Sequence, residues 1–287
     1  MKDSILEKAY KNVKDSCYSD YKSATAGNSI LNLSVLSLKF LNEKCKPIKL
    51  ISHVPEKEYF SYKKDNVVSR PINKRFFIAD SDDISVLWDQ WNKDIVSPTK
   101  FAQLTYTIAL APCLAMEIFD RQNKKGPATY FECYIGHLFA KTLGINPTKK
   151  VRLPILDKKV LMTMDFLFEI EKKLKKIHLP VKMSSRERVV QAWAHQKILN
   201  TAYGNNAYRG ILIIFSETKL DSRSLEVIEI CVPEQWLIYQ KLLAKMDRIY
   251  YFDIPDRYRV LTDQFSDIIT IKQFGEFFKE KEEVLFS

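Results

Sequence analysis

The chain has 287 residues, 46% of them apolar and 12% aromatic, with only 7 Gly and with 45 Lys and Arg against 35 Asp and Glu, a formal net charge of +10. This composition excludes a disordered, collagen-like or coiled-coil chain and suffices for the core of one large domain or two modest ones. The longest apolar runs, residues 108–116 and 211–215, fall short of the roughly 20 needed to cross a membrane, and the charged start is unlike a signal peptide, so a cytoplasmic protein with no membrane role is expected.

Residues 1–45 lack proline until their end and carry Ile30, Leu31, Leu33, Leu36 and Leu38, a pattern that predicts helix, followed by an irregular basic segment at residues 63–75. The Trp-rich VLWDQW comes next, then a helical stretch over 98–120 in which Pro98 suits the first turn and Pro112 is expected to kink or divide it. Asn123 to Pro127 (NKKGP) is the clearest break in the first half of the chain. Beyond it Phe131, Tyr134, Ile135, Leu138 and Phe139 fall on one helical face, ending at Gly144 and Pro147, with Glu132 beside the buried stripe.

VLMTMDFLFEI and KKIHLPVKM read as a β-hairpin around the charged EKKLKK, with Asp165 on the first strand and Lys182 near the end of the second. Ser184-Ser-Arg-Glu187 has the form of a capping box, which predicts a helix from Ser184 to Gly204. Residues 210–216 (GILIIFS) are apolar enough for a buried central strand, and residues 233–247 read as one helix opening on Pro233. Helix, strand, strand, helix, strand, helix is the order of an α/β or α+β core.

Five scattered cysteines with no CxxC pair point to neither a disulfide framework nor a structural zinc site. The excess positive charge is concentrated: residues 141–188 carry 13 Lys and Arg against 5 Asp and Glu, a net +8 of the chain's +10. Such a patch attracts polyanions, nucleic acid before membrane. A helix acid, a strand acid and a strand-end Lys are what phosphodiester hydrolysis requires, because carboxylates hold Mg²⁺ and a Lys can orient the attacking water. Glu132, Asp165 and Lys182 supply that set. Asp165 is set in MTMDFLF, and a carboxylate in an apolar strand is costly without a metal or a partner.

The run Lys182-Met-Ser184-Ser-Arg186-Glu187-Arg188, with Tyr-Phe-Glu at 130–132 upstream, resembles the type II restriction endonucleases of the PD-(D/E)XK fold that cut CCGG or CCNGG sites. The resemblance covers residues 129–216 and implies a mixed central sheet flanked by helices. It also implies Asp165 as a Mg²⁺ ligand, Lys182 as the catalytic lysine and Glu132 as an accessory acid and metal ligand. Arg186 and Arg188 would donate to guanine and Glu187 would accept from cytosine, while Ser184, Ser185, Lys172 and Lys173 would meet the DNA backbone.

Two positions depart from the family pattern. Pro180 stands where an acid precedes the Lys, and His195, followed by Gln196, stands where relatives carry a displaced Glu. Either His195 or Gln196, or else Glu132, would take the missing role, or the site is impaired. Residues 1–120 are expected as a mainly helical scaffold or DNA-contacting region, 121–260 as the catalytic and recognition core, and 261–287 as a C-terminal helical extension. The resulting expectation is a Mg²⁺-dependent homodimer or higher oligomer acting on double-stranded DNA. The rivals are a nonspecific or repair nuclease of the same fold and a DNA-binding protein with a decayed site.

Overall fold

The computed structural model describes residues 4–120, 122–155, 158–170, 175–186 and 189–286. The chain divides into two compact units, Met1–Lys141 with Thr218–Glu229, and Thr142–Glu217 with Ile230–Ser287.

The first unit opens with α1 (Ser4–Ser19) and α2 (Ala24–Lys44). On α1, Leu6, Ala9, Val13 and Cys17 recur at helical spacing and form its buried face. Ser23 caps α2 by accepting from the Ala26 N–H at 3.1 Å. Short strands then follow: β1 (Lys46–Lys49), β2 (Ile51–Ser52), β3 (Tyr59–Lys64), β4 (Val67–Val68) and β5 (Ile72–Asn73). The segment expected to be irregular at 63–75 is thus partly strand, because β4 and β5 both pair antiparallel with β3.

Three helices complete this part of the unit: α3 (Ser81–Asn92), α4 (Pro98–Phe119) and α5 (Gly126–Leu143). Helix α4 is not divided at Pro112. Proline lacks the N–H that would bond the carbonyl four residues back, and that carbonyl, Ile108, instead accepts from the Tyr130 hydroxyl of α5 at 2.8 Å. By length and composition α4 could cross a membrane, contrary to the expectation for its apolar run, but 89% of its most apolar stretch is buried in the protein.

The second unit is built on a sheet. Its strands are β6 (Thr148–Ile155), β7 (Lys158–Phe168), β8 (Lys176–His178), β9 (Val181–Lys182) and, after α6 (Val190–Tyr203), β10 (Tyr208–Ile214). Strands β11 (Thr218–Asp221) and β12 (Glu226–Glu229) return to the first unit, where β12 pairs with β2. The chain then adds α7 (Pro233–Ile238), a π-helical segment at Tyr239–Leu243, β13 (Arg248–Tyr251), α8 (Asp256–Gln264), β14 (Ile271–Gln273) and α9 (Phe274–Phe286). The single helix expected over 233–247 therefore switches to π winding half-way. There the Gln240 Oε1 accepts from the Trp193 indole at 3.0 Å.

The sheet order is β14-β13-β10-β8-β7-β6, with β9 also beside β10. Strand β10 is buried at every position and has parallel partners on both sides, as its nearly continuous apolar run predicts. One face packs on Trp193, Trp236, Tyr258 and Leu261 together with Leu212, Ile214 and Tyr251. All five cysteines are buried thiols outside any disulfide.

Candidate active site

Parallel pairing aligns strand ends. Ile214 of β10 is opposite both Lys182 of β9 and Tyr251 of β13, so three strands end together. Ligand sites of such sheets form at this carboxyl edge. Strand β7 runs antiparallel to β8 with Leu167 opposite His178 and Phe168 opposite Ile177, a register that continues to Asp165 opposite Pro180.

That register is undisturbed by the proline, whose backbone faces β10 through the Ile213 N–H. The Leu179 N–H still bonds the β7 ladder at the Phe166 carbonyl, Pro180 has no N–H to give, and the Val181 N–H donates at 3.0 Å to Oδ2 of Asp165. The Asp165 carboxylate thus takes over from the backbone ladder where β8 gives way to β9. Lys182 Nζ donates to the same Oδ2 at 2.7 Å, and the two side chains are 20% and 24% exposed. Both hydrogen bonds fall on Oδ2.

Two histidines flank this pair. His195 on α6 is half-buried; burial holds its pKa below the ordinary value, with the Lys182 charge reinforcing and the Asp165 charge opposing that shift. Its imidazole is therefore neutral near pH 7 and offers a lone pair. His178 is fully buried, its ring centroid 6.2 Å from that of His195. Its pKa is lowered to about 4, chiefly by burial.

Gln196 is 1% exposed and committed inward. Its amide nitrogen donates to the Tyr208 carbonyl at 3.0 Å and to Asn200 Oδ1 at 2.9 Å, which fixes the amide orientation. Its oxygen must then accept from His178 Nδ1 at 2.9 Å. A built Cβ at Gly210 would lie 2.8 Å from that oxygen, so a residue with no side chain is needed beneath it.

The segment after Lys182 corrects the expected capping box. Helix α6 begins at Val190, not at Ser184, and its first turn has no side-chain cap. Ser185 is buried, and its N–H donates to both oxygens of Glu217, at 2.8 and 3.1 Å. It is thus an anchor of the turn and offers little to a DNA phosphate. Ser184 is half-buried, with its hydroxyl oxygen 3.5 Å from the Arg186 Nε, and Arg186 is exposed. Glu187, Arg188, Lys172 and Lys173 lie outside the described residues.

Glu132 lies on α5, half-buried beside Tyr18, in the first unit. Glu217 was not singled out from the sequence, although it is the first charge after the apolar run of β10. No three His, Cys, Asp or Glu side chains among the described residues form a metal cage. The partly exposed Asp165 carboxylate nevertheless fits a hard divalent cation, which takes one or two carboxylates and completes its shell with phosphate oxygens and water.

No family model and no curated protein matches the sequence. Among solved structures, the chain is similar to the type IIP restriction endonuclease Kpn2I, with a TM-score of 0.82, 23% identity and 97% of each chain covered. A restriction endonuclease PspGI–substrate DNA complex is more distantly similar, with a TM-score of 0.45, 16% identity, and 71% of this chain and 92% of that one covered. The chain has the restriction-endonuclease-like fold. Within that fold Asp165, Lys182 and His195 gather at the carboxyl edge of the central sheet, as the mixed sheet inferred from the sequence requires.

Proposed function

We propose that this chain is a Mg²⁺-dependent type II restriction endonuclease that hydrolyses double-stranded DNA at a short palindrome with a G/C core of the CCGG or CCNGG kind. The observation that carries the reading is the Asp165–Lys182 pair, 2.7 Å apart at the carboxyl edge of a restriction-endonuclease-like sheet. The Asp165 carboxylate, with His195 or Glu132 as the second group, would hold the cation. A bound divalent cation supplies Lewis-acid polarisation of the phosphoryl oxygen and a more acidic water.

The chain's own groups do the rest. Lys182 Nζ, held by Asp165 Oδ2, donates hydrogen bonds to the attacking water and to a nonbridging oxygen of the scissile phosphate. His195, neutral, accepts a proton at its free nitrogen when it is not a ligand. Gln196 acts from the core as a positioning residue for His178 and α6. Arg186, in the turn before α6, reads base edges together with Glu187 and Arg188, and Ser184, Lys172 and Lys173 meet phosphates. A two-fold site calls for a homodimer or a multiple of it, each protomer presenting one such turn to a half-site. Five buried thiols outside any disulfide support a cytoplasmic setting.

The test is digestion of phage DNA with and without millimolar Mg²⁺, beside Asp165→Ala. Discrete bands that require Mg²⁺ and vanish in the variant are expected. A smear would replace this reading with that of a nonspecific nuclease. Intact but gel-shifted DNA would replace it with that of a binding protein, a possibility that rests on the absence of an acid at Pro180 and His195.

A further inference from the structure

We infer that Glu217 is a positioning residue for sequence recognition, a buried carboxylate that clamps the turn carrying Arg186 and so sets how strictly the site is read. The inference rests on the nuclease reading above for its functional half. Its structural half stands alone.

The backbone after Lys182 runs beside the end of β10 as an extension of their parallel pairing. The Phe215 N–H donates to the Lys182 carbonyl at 3.0 Å and the Ser216 N–H to the Met183 carbonyl at 3.3 Å. One step further the strand pairing has ended, and the side chain of Glu217 takes its place by accepting the Ser185 N–H on both oxygens. The Tyr251 hydroxyl, from β13, donates to Oε1 at 2.8 Å and fixes the carboxylate from the other side. Glu217 is 0% exposed, and Arg186, the next residue after its partner, is close enough for its charge to favour the ionised carboxylate.

A fully buried carboxylate is costly, and sites that retain one commonly use it. A carboxylate accepts here on both oxygens, from the Ser185 N–H and the Tyr251 hydroxyl. A glutamine placed with its oxygen at Oε1 would aim NH₂ at the Ser185 N–H from 3.1 Å, donor against donor; flipped, it would deny Tyr251 its acceptor. Arg186 lies four residues after Lys182. Loosening the turn between them therefore reaches the recognition arginine before the catalytic lysine, which the two backbone bonds from Phe215 and Ser216 still hold.

The experiment compares wild type, Glu217→Gln and Tyr251→Phe in two readouts. Residue-resolved hydrogen exchange of the free protein reads the clamp. The Ser185 amide is expected to lose at least tenfold protection in Glu217→Gln and less in Tyr251→Phe, while the amides of β10 keep theirs. Unchanged Ser185 protection overturns the clamp whatever happens to DNA. The second readout is the ratio of kcat/KM on the site cut by the wild type to that on duplexes altered at one base pair. It is expected to fall at least tenfold with the rate on the proper site changed less than threefold. A lost clamp with an unchanged ratio, or equal losses on both duplexes, overturns the role in recognition.

If the wild type leaves all DNA intact, the nuclease reading fails and the recognition role falls with it, while the exchange result still decides the clamp. Should Glu217→Gln fail to fold, Tyr251→Phe, which deletes one hydroxyl from the clamp and leaves the ring, carries both readouts.

Discussion

Replacing Glu217 by Gln should flatten the dependence of stability on pH. Burial raises the Glu217 pKa from 4.5 to about 7, against the pull of Tyr251, Ser185 and Arg186. The folded protein therefore binds this proton more tightly than the unfolded chain. The stabilising contribution is complete below pH 4.5 and is lost as the pH rises through about 7. At about 1.4 kcal/mol per pH unit the loss is on the order of 3 kcal/mol, most of it between pH 5 and pH 7.5. The other groups facing the carboxylate, Tyr251, Tyr258 and Arg186, do not change charge in that window. The donor mismatch that glutamine introduces is independent of pH and cancels from the slope. Urea unfolding of both proteins at pH 5, 6, 7 and 8 gives the wild-type minus variant difference. That difference should move against the wild type by roughly 2–3 kcal/mol across the series. A flat difference, or one moving the other way, would show that Glu217 is ionised in the folded state as readily as in water, and the account of its burial would fail.

Arg186→Ala should cost about 1–3 kcal/mol of discrimination at one base pair, seen as roughly 5- to 150-fold relaxed selection in cleavage of a randomised duplex pool. His195→Ala should raise the half-saturating Mg²⁺ or Mn²⁺ concentration about 10- to 100-fold, measured by Mn²⁺ binding in electron paramagnetic resonance as well as by cleavage. Gly210→Ala would bring a methyl to 2.5 Å from Met246 Sδ and 2.8 Å from Gln196 Oε1, both in the core, and should destabilise the fold by about 1–3 kcal/mol, read as a lower urea midpoint. On the acid side, His137 has its pKa lowered to about 4, mainly by burial, so its stabilising neutral form prevails above pH 6.5 and is lost as the pH falls toward 4. His137→Gln should weaken that acid limb in the same urea series.

Elements with a long or extreme pattern were legible in the sequence. The apolar run of β10 and the hairpin of β7 with β8 formed as their spacing predicted, while α5 formed as a helix but is buried on nearly all sides from Tyr130 to Ala140 and not on one face alone. The small strands of the first unit were not, because nothing local fixes them: β2 finds its partner in β12, more than 170 residues later. The helix start at Ser184 failed for a related reason. The local pattern carries no sign of Glu217, which holds the Ser185 N–H in the turn before α6 from 32 residues away. Asp165 and Lys182 could be read because a charge inside an apolar strand demands a partner and a Lys-x-Ser run limits where it lies. Glu217 could not, since its two partners come from the turn before α6 and from β13.

The two carboxylates of the second unit put one sheet edge to different uses. Asp165, 24% exposed, commits one oxygen to Lys182 and the Val181 N–H. Glu217 has no access to water and commits both oxygens to the Ser185 N–H, so it can only hold. Between them run three successive links: Phe215 to Lys182, Ser216 to Met183, and Ser185 to Glu217. Because these links are hydrogen bonds along one short backbone run, on the proposed reading a shift of Arg186 toward a wrong base would pull on the residues that follow Lys182. A carboxylate at position 180 is not needed to build this edge. With Asp165 opposite Pro180, the backbone N–H that leaves the β7 ladder for the aspartate is that of Val181, and the proposed function puts the cation at the same carboxylate.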